Sequence, residues 1–373
     1  MSEAQHDWLR LALSPGIGPQ RFLQLIQRFG SAGAALAANR SQLAGILDGE
    51  AIDTLGSELA QQSADAALAW AQLPGCSLLT LNDDDYPCQL AEAGAAPPLL
   101  FARGRRELLA TPMLAIVGSR NATPQGEEHA RTFARRLAAQ GYTIVSGLAG
   151  GIDAAAHEGA LQAGGHTIAV IGTGIDRVYP ASNRQLAHQI AEQGLILSEF
   201  ALGMGPLAQH FPRRNRIIAG LSRGCLVVEA TLQSGSLITA RQALEAGREV
   251  MAIPGSILNP QARGCHRLIK EGARLVETVD DVLDEIGRPA APPPPATTVD
   301  APRDASHNRA AGLAHPQQAV MDAIGYDPVD ADMLGARLGL TPGEVYAMLL
   351  ELELLGHVDS MPGGRYQRRA PAP

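Results

Sequence analysis

Met113-Leu114-Ala115-Ile116-Val117-Gly118-Ser119-Arg120, followed at once by Asn121-Ala122-Thr123-Pro124, is the stretch that decides the fold. Residues 113–117 form an apolar run short enough for a buried strand, and Gly118 ends it. Thr123 suits the N-cap of a helix and Pro124 its first turn. Ala130, Phe133, Ala134, Leu137 and Ala138 then line one face before Gly141 stops the run. Strand, glycine turn and helix in that order is the unit from which parallel sheets with crossover helices are built.

Working outward, the same alternation covers residues 76–287, with further strands expected at Tyr142–Val145, Thr167–Ile171, Leu195–Leu197, Leu226–Val228 and Val250–Ile253. The fold class is therefore α/β, with an extended Rossmann-like parallel sheet. Residues 1–75 read as a helical domain, in which Pro15-Gly16-Ile17-Gly18-Pro19 precedes an amphipathic run through Phe22, Leu25, Ile26 and Phe29. That turn is either a tight interhelical connection or, as in a helix-hairpin-helix, a holder of phosphate. Residues 288–312, with Pro292–Pro295, read as a Pro/Ala-rich linker, and 313–373 as a winged helix. In the tail Thr341-Pro342-Gly343-Glu344 forms a capping box, and Pro362-Gly363-Gly364 is the tip of the wing.

Composition narrows the function. A net charge of −8 and a pI near 5.7 argue against a surface that coats nucleic acid, so any such site must be local. Cys76, Cys88, Cys225 and Cys265 lack metal-ligand spacing, so neither zinc nor disulfides are expected. The N-terminal residues do not read as a signal peptide and no apolar run is long enough to span a bilayer, which makes a cytoplasmic location the expectation.

Three loops should meet at the carboxyl rim of the sheet: Gly118-Ser119-Arg120; Ser146-Gly147 through Gly150-Gly151 to Asp153; and Gly172-Thr173-Gly174. Glycines at such turns let backbone N–H groups approach an anion, and phosphate suits them. A dinucleotide cofactor fits poorly: no GxGxxG follows the first strand, and the second ends on Ser146-Gly147 where a ribose-binding carboxylate would stand. No cofactor and no metal are expected. Phe211-Pro212-Arg213-Arg214-Asn215-Arg216 places three cations in what reads as the first turn of a helix opened by Pro212, where the dipole disfavours them. Backbone phosphates on Arg213, Arg214 and Arg216, with Asn215 as a hydrogen-bonding group and Phe211 as a stacking face, would compensate. Any one of these arginines could instead pair with Glu199 or Glu229; all three doing so is not expected.

Val117-Gly118-Ser119-Arg120, Ser146 through Asp153, Tyr179-Pro180 with Asn183, Phe211 through Ser222, Val227-Val228-Glu229-Ala230, Ser234-Gly235-Ser236 through Ala240, Pro254-Gly255 and Leu268-Ile269-Lys270 together resemble the DNA-processing protein A (DprA/Smf) family, in order across the middle domain. The resemblance implies a non-enzymatic protein that binds and protects incoming single-stranded DNA in natural transformation and helps load the RecA recombinase, as a homodimer. The DNA pocket it implies comprises Gly118, Ser119, Arg120, Ser146, Gly147, Phe211, Arg213, Arg214, Asn215 and Arg216. Gly150, Gly151, Gly172, Gly174, Asn183, Ser234, Gly235, Ser236 and Lys270 are possible additions. Where many members have a basic residue before the Phe of this motif, the chain has Ala208-Gln209-His210, so one phosphate contact is either missing or supplied by His210, neutral or protonated.

The alternative is a nucleotide-processing Rossmann enzyme of the phosphoribohydrolase kind. Its catalytic Glu is missing from Ser234 through Arg241, and Asp153, Asp176 and Glu229 are the acidic candidates left. In the tail, Glu344, Glu351 and Glu353 on the presumed recognition helix, with no cation between Pro342 and His357, favour a protein contact or packing over duplex reading.

Overall fold

The computed structural model describes residues 3–94, 96–289, 315–325 and 328–369. Residues 290–314, which hold nearly all of the expected linker, lie outside the described residues.

Helices between Glu3 and Trp70 come first, closed on a small core around Trp8, Leu11, Phe22 and Leu25. The central unit is a nine-stranded sheet: β1 Cys76–Thr80, β2 Leu99–Gly104, β3 Met113–Val117, β4 Thr143–Ser146, β5 Thr167–Ile171, β6 Leu195–Ser198, β7 Gly224–Val227, β8 Glu249–Ala252 and β9 Arg274–Leu275. Their order is β1-β2-β6-β5-β4-β3-β7-β8-β9. The strands from β6 to β9 run parallel, as expected, while β2 pairs antiparallel with both β1 and β6. The chain steps from β3 outward to β6 and then returns to the other side of β3, so the crevice between β3 and β7 is the switch point where ligands enter such sheets.

Alternation along β3 distributes its side chains to two cores. Leu114 and Ile116 pack with the helices Pro124–Ala139 and Ile152–Gln162 on one face. Met113, Ala115 and Val117 face the helices His210–Leu221, Ser236–Glu245 and Arg263–Lys270 on the other. In the tail, helices His315–Ile324, Ala331–Leu338 and Pro342–Leu354 pack with β10 Val329–Asp330, β11 Val358–Met361 and β12 Arg365–Arg368. The Thr341–Glu344 capping box is present with both halves made.

One buried titratable group sits beneath the site. His157, on the helix Ile152–Gln162, is fully buried with Nδ1 2.6 Å from Thr167 Oγ1. The Thr167 hydroxyl donates to Ile144 O, so the imidazole N–H at Nδ1 is the donor and Nε2 is left without a partner. Burial, reinforced by the nearby Arg214 charge, pushes its pKa down to about 3. The unfolded chain takes up this proton near pH 6.5 and the folded one does not, so the contribution of neutral His157 is intact above about pH 6.5 and is lost as pH falls. Urea titrations should lose stability on its account as pH falls through 6.5, at a slope approaching about 1.4 kcal/mol per pH unit below about pH 6, and His157→Gln should show a slope shallower there by about one proton.

Candidate nucleic-acid interface

The carboxyl ends of β3 and β7 open into a cleft of about 680 Å³. Its walls include the Gly118–Asn121 loop, the start of the helix Ser236–Glu245 and the helix His210–Leu221. Of the residues named from the sequence, Gly118, Ser119, Arg120, Phe211, Arg214, Asn215, Ser234, Gly235 and Ser236 line it. Arg120 is exposed, lies 5.0 Å from the Phe211 ring centroid and has no ion pair among the described residues. A cation is thus laid on an aromatic face within the cleft lining.

The loops are locked by backbone geometry. The carbonyl oxygen of Ser119 would lie 2.4 Å from a Cβ at Gly151, whose φ of 70° already favours glycine. Leu148 adopts φ 58°, a left-handed conformation unusual for a leucine. Asn183 Nδ2 holds that conformation by donating to the carbonyls of Leu148 and Ala149 at 3.0 and 3.1 Å. Asn183 therefore props the loop and does not line the cleft.

Arg214 is buried within the helix His210–Leu221, where its guanidinium donates to the carbonyls of Gly147 and Val170 and, through Nε, to Asn215 Oδ1 at 3.1 Å. Burial pulls its pKa down to about 10 and the Asp153 charge opposes this, so it remains a cation at neutral pH. Asp153 accepts from the N–H groups of Gly147 at 3.1 Å and Ala149 at 3.4 Å. Burial pushes its carboxyl up, against the pull of Arg214 and those N–H groups. A Cβ at Gly147 would stand 2.6 Å from Asp153 Oδ2 and 2.7 Å from Arg214 Nη2, so only glycine fits between them.

Several expectations change. The helix begins at His210, ahead of Pro212, because a proline inside the first turn gives up an N–H that has no helical partner anyway. Arg213 and Arg216 both pair with Glu199, Arg213 at 3.2 Å, and neither lines the cleft. They face instead the Gly16–Arg21 turn of the N-terminal domain across a separate cavity of about 500 Å³. The dipole penalty on the cations is thus met largely from within the chain. His210 is buried, stacks on Phe200 at 4.0 Å and is held neutral by burial, so it does not stand in for a basic residue. Ser146 is buried and donates to Ile116 O. Gly147, Gly150, Gly151, Gly172, Gly174 and Lys270 do not line the cleft, although Gly172 lies against the Phe211 ring. Tyr179, Pro206, Ala208, Gln233 and Gln261 do line it and were not among the expected residues. Tyr179 alone had a signal, as part of the Tyr179-Pro180 motif.

Residues 77–287 match the family described as DNA recombination-mediator protein A, residues 288–364 the DprA winged helix domain, and residues 2–39 the DprA-like N-terminal HHH domain. The chain belongs to the DprA/Smf family. Protein Smf of Escherichia coli is 42% identical over 312 residues, which is 83% of this chain and 82% of that one. DNA processing protein DprA of Streptococcus pneumoniae is 52% identical over 214 residues, 57% of this chain and 74% of that one. The X-ray structure of the Streptococcus pneumoniae DprA covers 77% of this chain and 99% of its own, with TM-score 0.63 and 41% identity. A Helicobacter pylori DNA processing protein A, studied for its single-stranded DNA binding mode, covers 56% of this chain and 94% of its own, with TM-score 0.51 and 32% identity.

Within this DprA/Smf fold the buried and the exposed arginine should separate cleanly. Arg214→Ala leaves Asp153 and two carbonyls without their cation and should cost about 3–5 kcal/mol of stability. Arg120→Ala should stay within about 0.5 kcal/mol of the native chain. Urea denaturation at pH 7 measures both, and equal stability of the two variants would contradict the inward role of Arg214.

Proposed function

We propose that the chain is a single-stranded-DNA-binding protein that takes the phosphate backbone into the β3/β7 cleft, without catalysing a reaction. The observation that carries this reading is Arg120: an exposed cation resting on Phe211 at the switch point, beside a helix start at Ser236 with no acidic residue in its first turn. Stacking on an aromatic ring is open to an unpaired base and closed to one inside a duplex. What the Helicobacter pylori relative is described as binding supports the same reading.

The acidic groups support a binder over an enzyme. Asp153 is engaged with Gly147 and Ala149, and Asp176 accepts from the Gly203 N–H at 2.9 and 3.1 Å. Glu229 accepts from Thr123 N at 2.9 Å and Thr123 Oγ1 at 2.7 Å. Each carboxylate holds a loop, and each would have to leave its partners to serve as an acid, base or nucleophile. No group of three or more His, Cys, Asp or Glu residues able to hold a metal occurs among the described residues.

The finer role we infer is protection of incoming strands in transformation and loading of the RecA recombinase by a cytoplasmic homodimer. Among the described residues no helix is long and apolar enough to cross a membrane. The winged helix fits a protein contact: Tyr346, Leu350 and Leu354 are exposed on a helix that carries Glu344, Glu351 and Glu353.

Fluorescence anisotropy with labelled single- and double-stranded oligonucleotides across a salt series tests the DNA reading. Binding should favour the single strand and weaken with salt, and Arg120→Ala should flatten the log–log slope by about 0.7, the share of one phosphate. Unchanged affinity and slope in that variant would remove the cleft from the interface.

A further inference from the structure

A second cavity, of about 540 Å³, adjoins the main cleft and shares Tyr179 and Pro206 with it. Its floor is apolar, with Leu148, Ile171, Ile175, Ala187 and Ile196 buried there. Around the rim stand three exposed arginines: Arg103 on β2, Arg177 in the loop after β5, and Arg184 at the start of the helix Arg184–Gln193. None of the three side chains makes a hydrogen bond or ion pair among the described residues. Asp176 is the lone carboxylate in the lining, and it is committed to Gly203. In a chain of net charge −8, this cavity therefore holds an excess of two positive charges.

The local backbone adds to that excess. Arg184 occupies the first position of its helix, where the dipole disfavours a cation, and the first turn has no acidic residue. The N-cap Asn183 gives this helix no side-chain cap: its Nδ2 donates to Leu148 and Ala149 and its Oδ1 accepts from Ser182 Oγ at 3.4 Å. Uncompensated guanidiniums thus stand around an apolar floor. An anion attached to a flat apolar body meets both requirements.

We propose that this cavity seats a further nucleotide of the same strand that enters the main cleft. Arg177 and Arg184 take its phosphate, and its base lies on the apolar floor. This rests on the DNA-binding reading above. Tyr179 connects the two sites: it is 46% exposed and its ring is 5.8 Å from that of Phe211, which in turn carries Arg120. Arg120, Phe211 and Tyr179 form a continuous row from one cavity to the other, suited to stacking successive unpaired bases.

Anisotropy titrations with a labelled oligothymidine of about 20 nucleotides, longer than the span of one site, test this with Arg177→Ala/Arg184→Ala. The variant should bind the strand roughly 10-fold more weakly, with a salt slope flatter by up to about 1.4, the share of two phosphates, and Arg177→Lys/Arg184→Lys should regain the slope. If the variant binds the strand unchanged while Arg120→Ala weakens it, the second cavity lies off the path and the main cleft stands. Calorimetry with thymidine 5′-monophosphate covers a free nucleotide: binding abolished in the variant, with strand affinity intact, would overturn the proposal in favour of a metabolite site. Failure of the native chain to bind the strand would overturn the DNA reading itself.

Discussion

A guanidinium held away from water at the centre of the sheet rim is the constraint on which the rest of the site depends. Arg214 reaches from the helix His210–Leu221 to the carbonyls of Gly147, just beyond β4, and Val170 on β5, tying two strand ends to a crossover helix. Burying a cation costs several kcal/mol unless its donors are satisfied and a counter-charge is near. The carbonyls, Asn215 and the field of Asp153 meet that requirement. Gly147 follows as a necessity, because a side chain there would enter the space between carboxylate and guanidinium.

The same frugality governs the other charges near the cleft. Glu199, itself buried, takes up both Arg213 and Arg216, and Glu229 spends its two oxygens on the N-cap of the helix Pro124–Ala139. Few charges remain to face the solvent at the rim, and apart from Asp176, which is held on the Gly203 N–H, they are cationic: Arg120 in the main cleft, with Arg103, Arg177 and Arg184 beside it. An acidic protein thereby presents a local positive field, which low-dielectric walls concentrate.

Much of this was legible in the sequence because the governing signals are local. The β3 run, the Thr123 cap with Pro124, and the Thr341 capping box each declare themselves within a few residues, and the glycine loops mark the strand ends. The antiparallel β1 and β2 were not read: neither is followed by a crossover helix, and Cys76–Thr80 lacks the β-branched alternation that marks a strand. The arginine-rich stretch misled for a different reason. Its cations were counted correctly, but whether they face solvent or Glu199 depends on a carboxylate brought in from beyond β6, and no spacing rule encodes that. His210 likewise offered itself as a phosphate contact, but it is buried and stacked on Phe200. The lining by Tyr179 and Pro206 arises because the loops after β5 and β6 fold back over the rim, a tertiary event.

The row of Arg120, Phe211 and Tyr179 bears on why a single strand and not a duplex would suit this rim. Each side chain presents a flat face that only an unstacked base can occupy, and the flanking cavities, about 680 and 540 Å³, are on the scale of separate nucleotides. Both lie over a rigid sheet edge in which Leu148 is fixed in a left-handed conformation by Asn183. A rim so constrained cannot widen to admit a paired helix without breaking the Asn183 and Arg214 contacts that define it. On the proposed reading, preference for unpaired strands is therefore a consequence of stiffness at the strand ends, with no need for recognition of base edges.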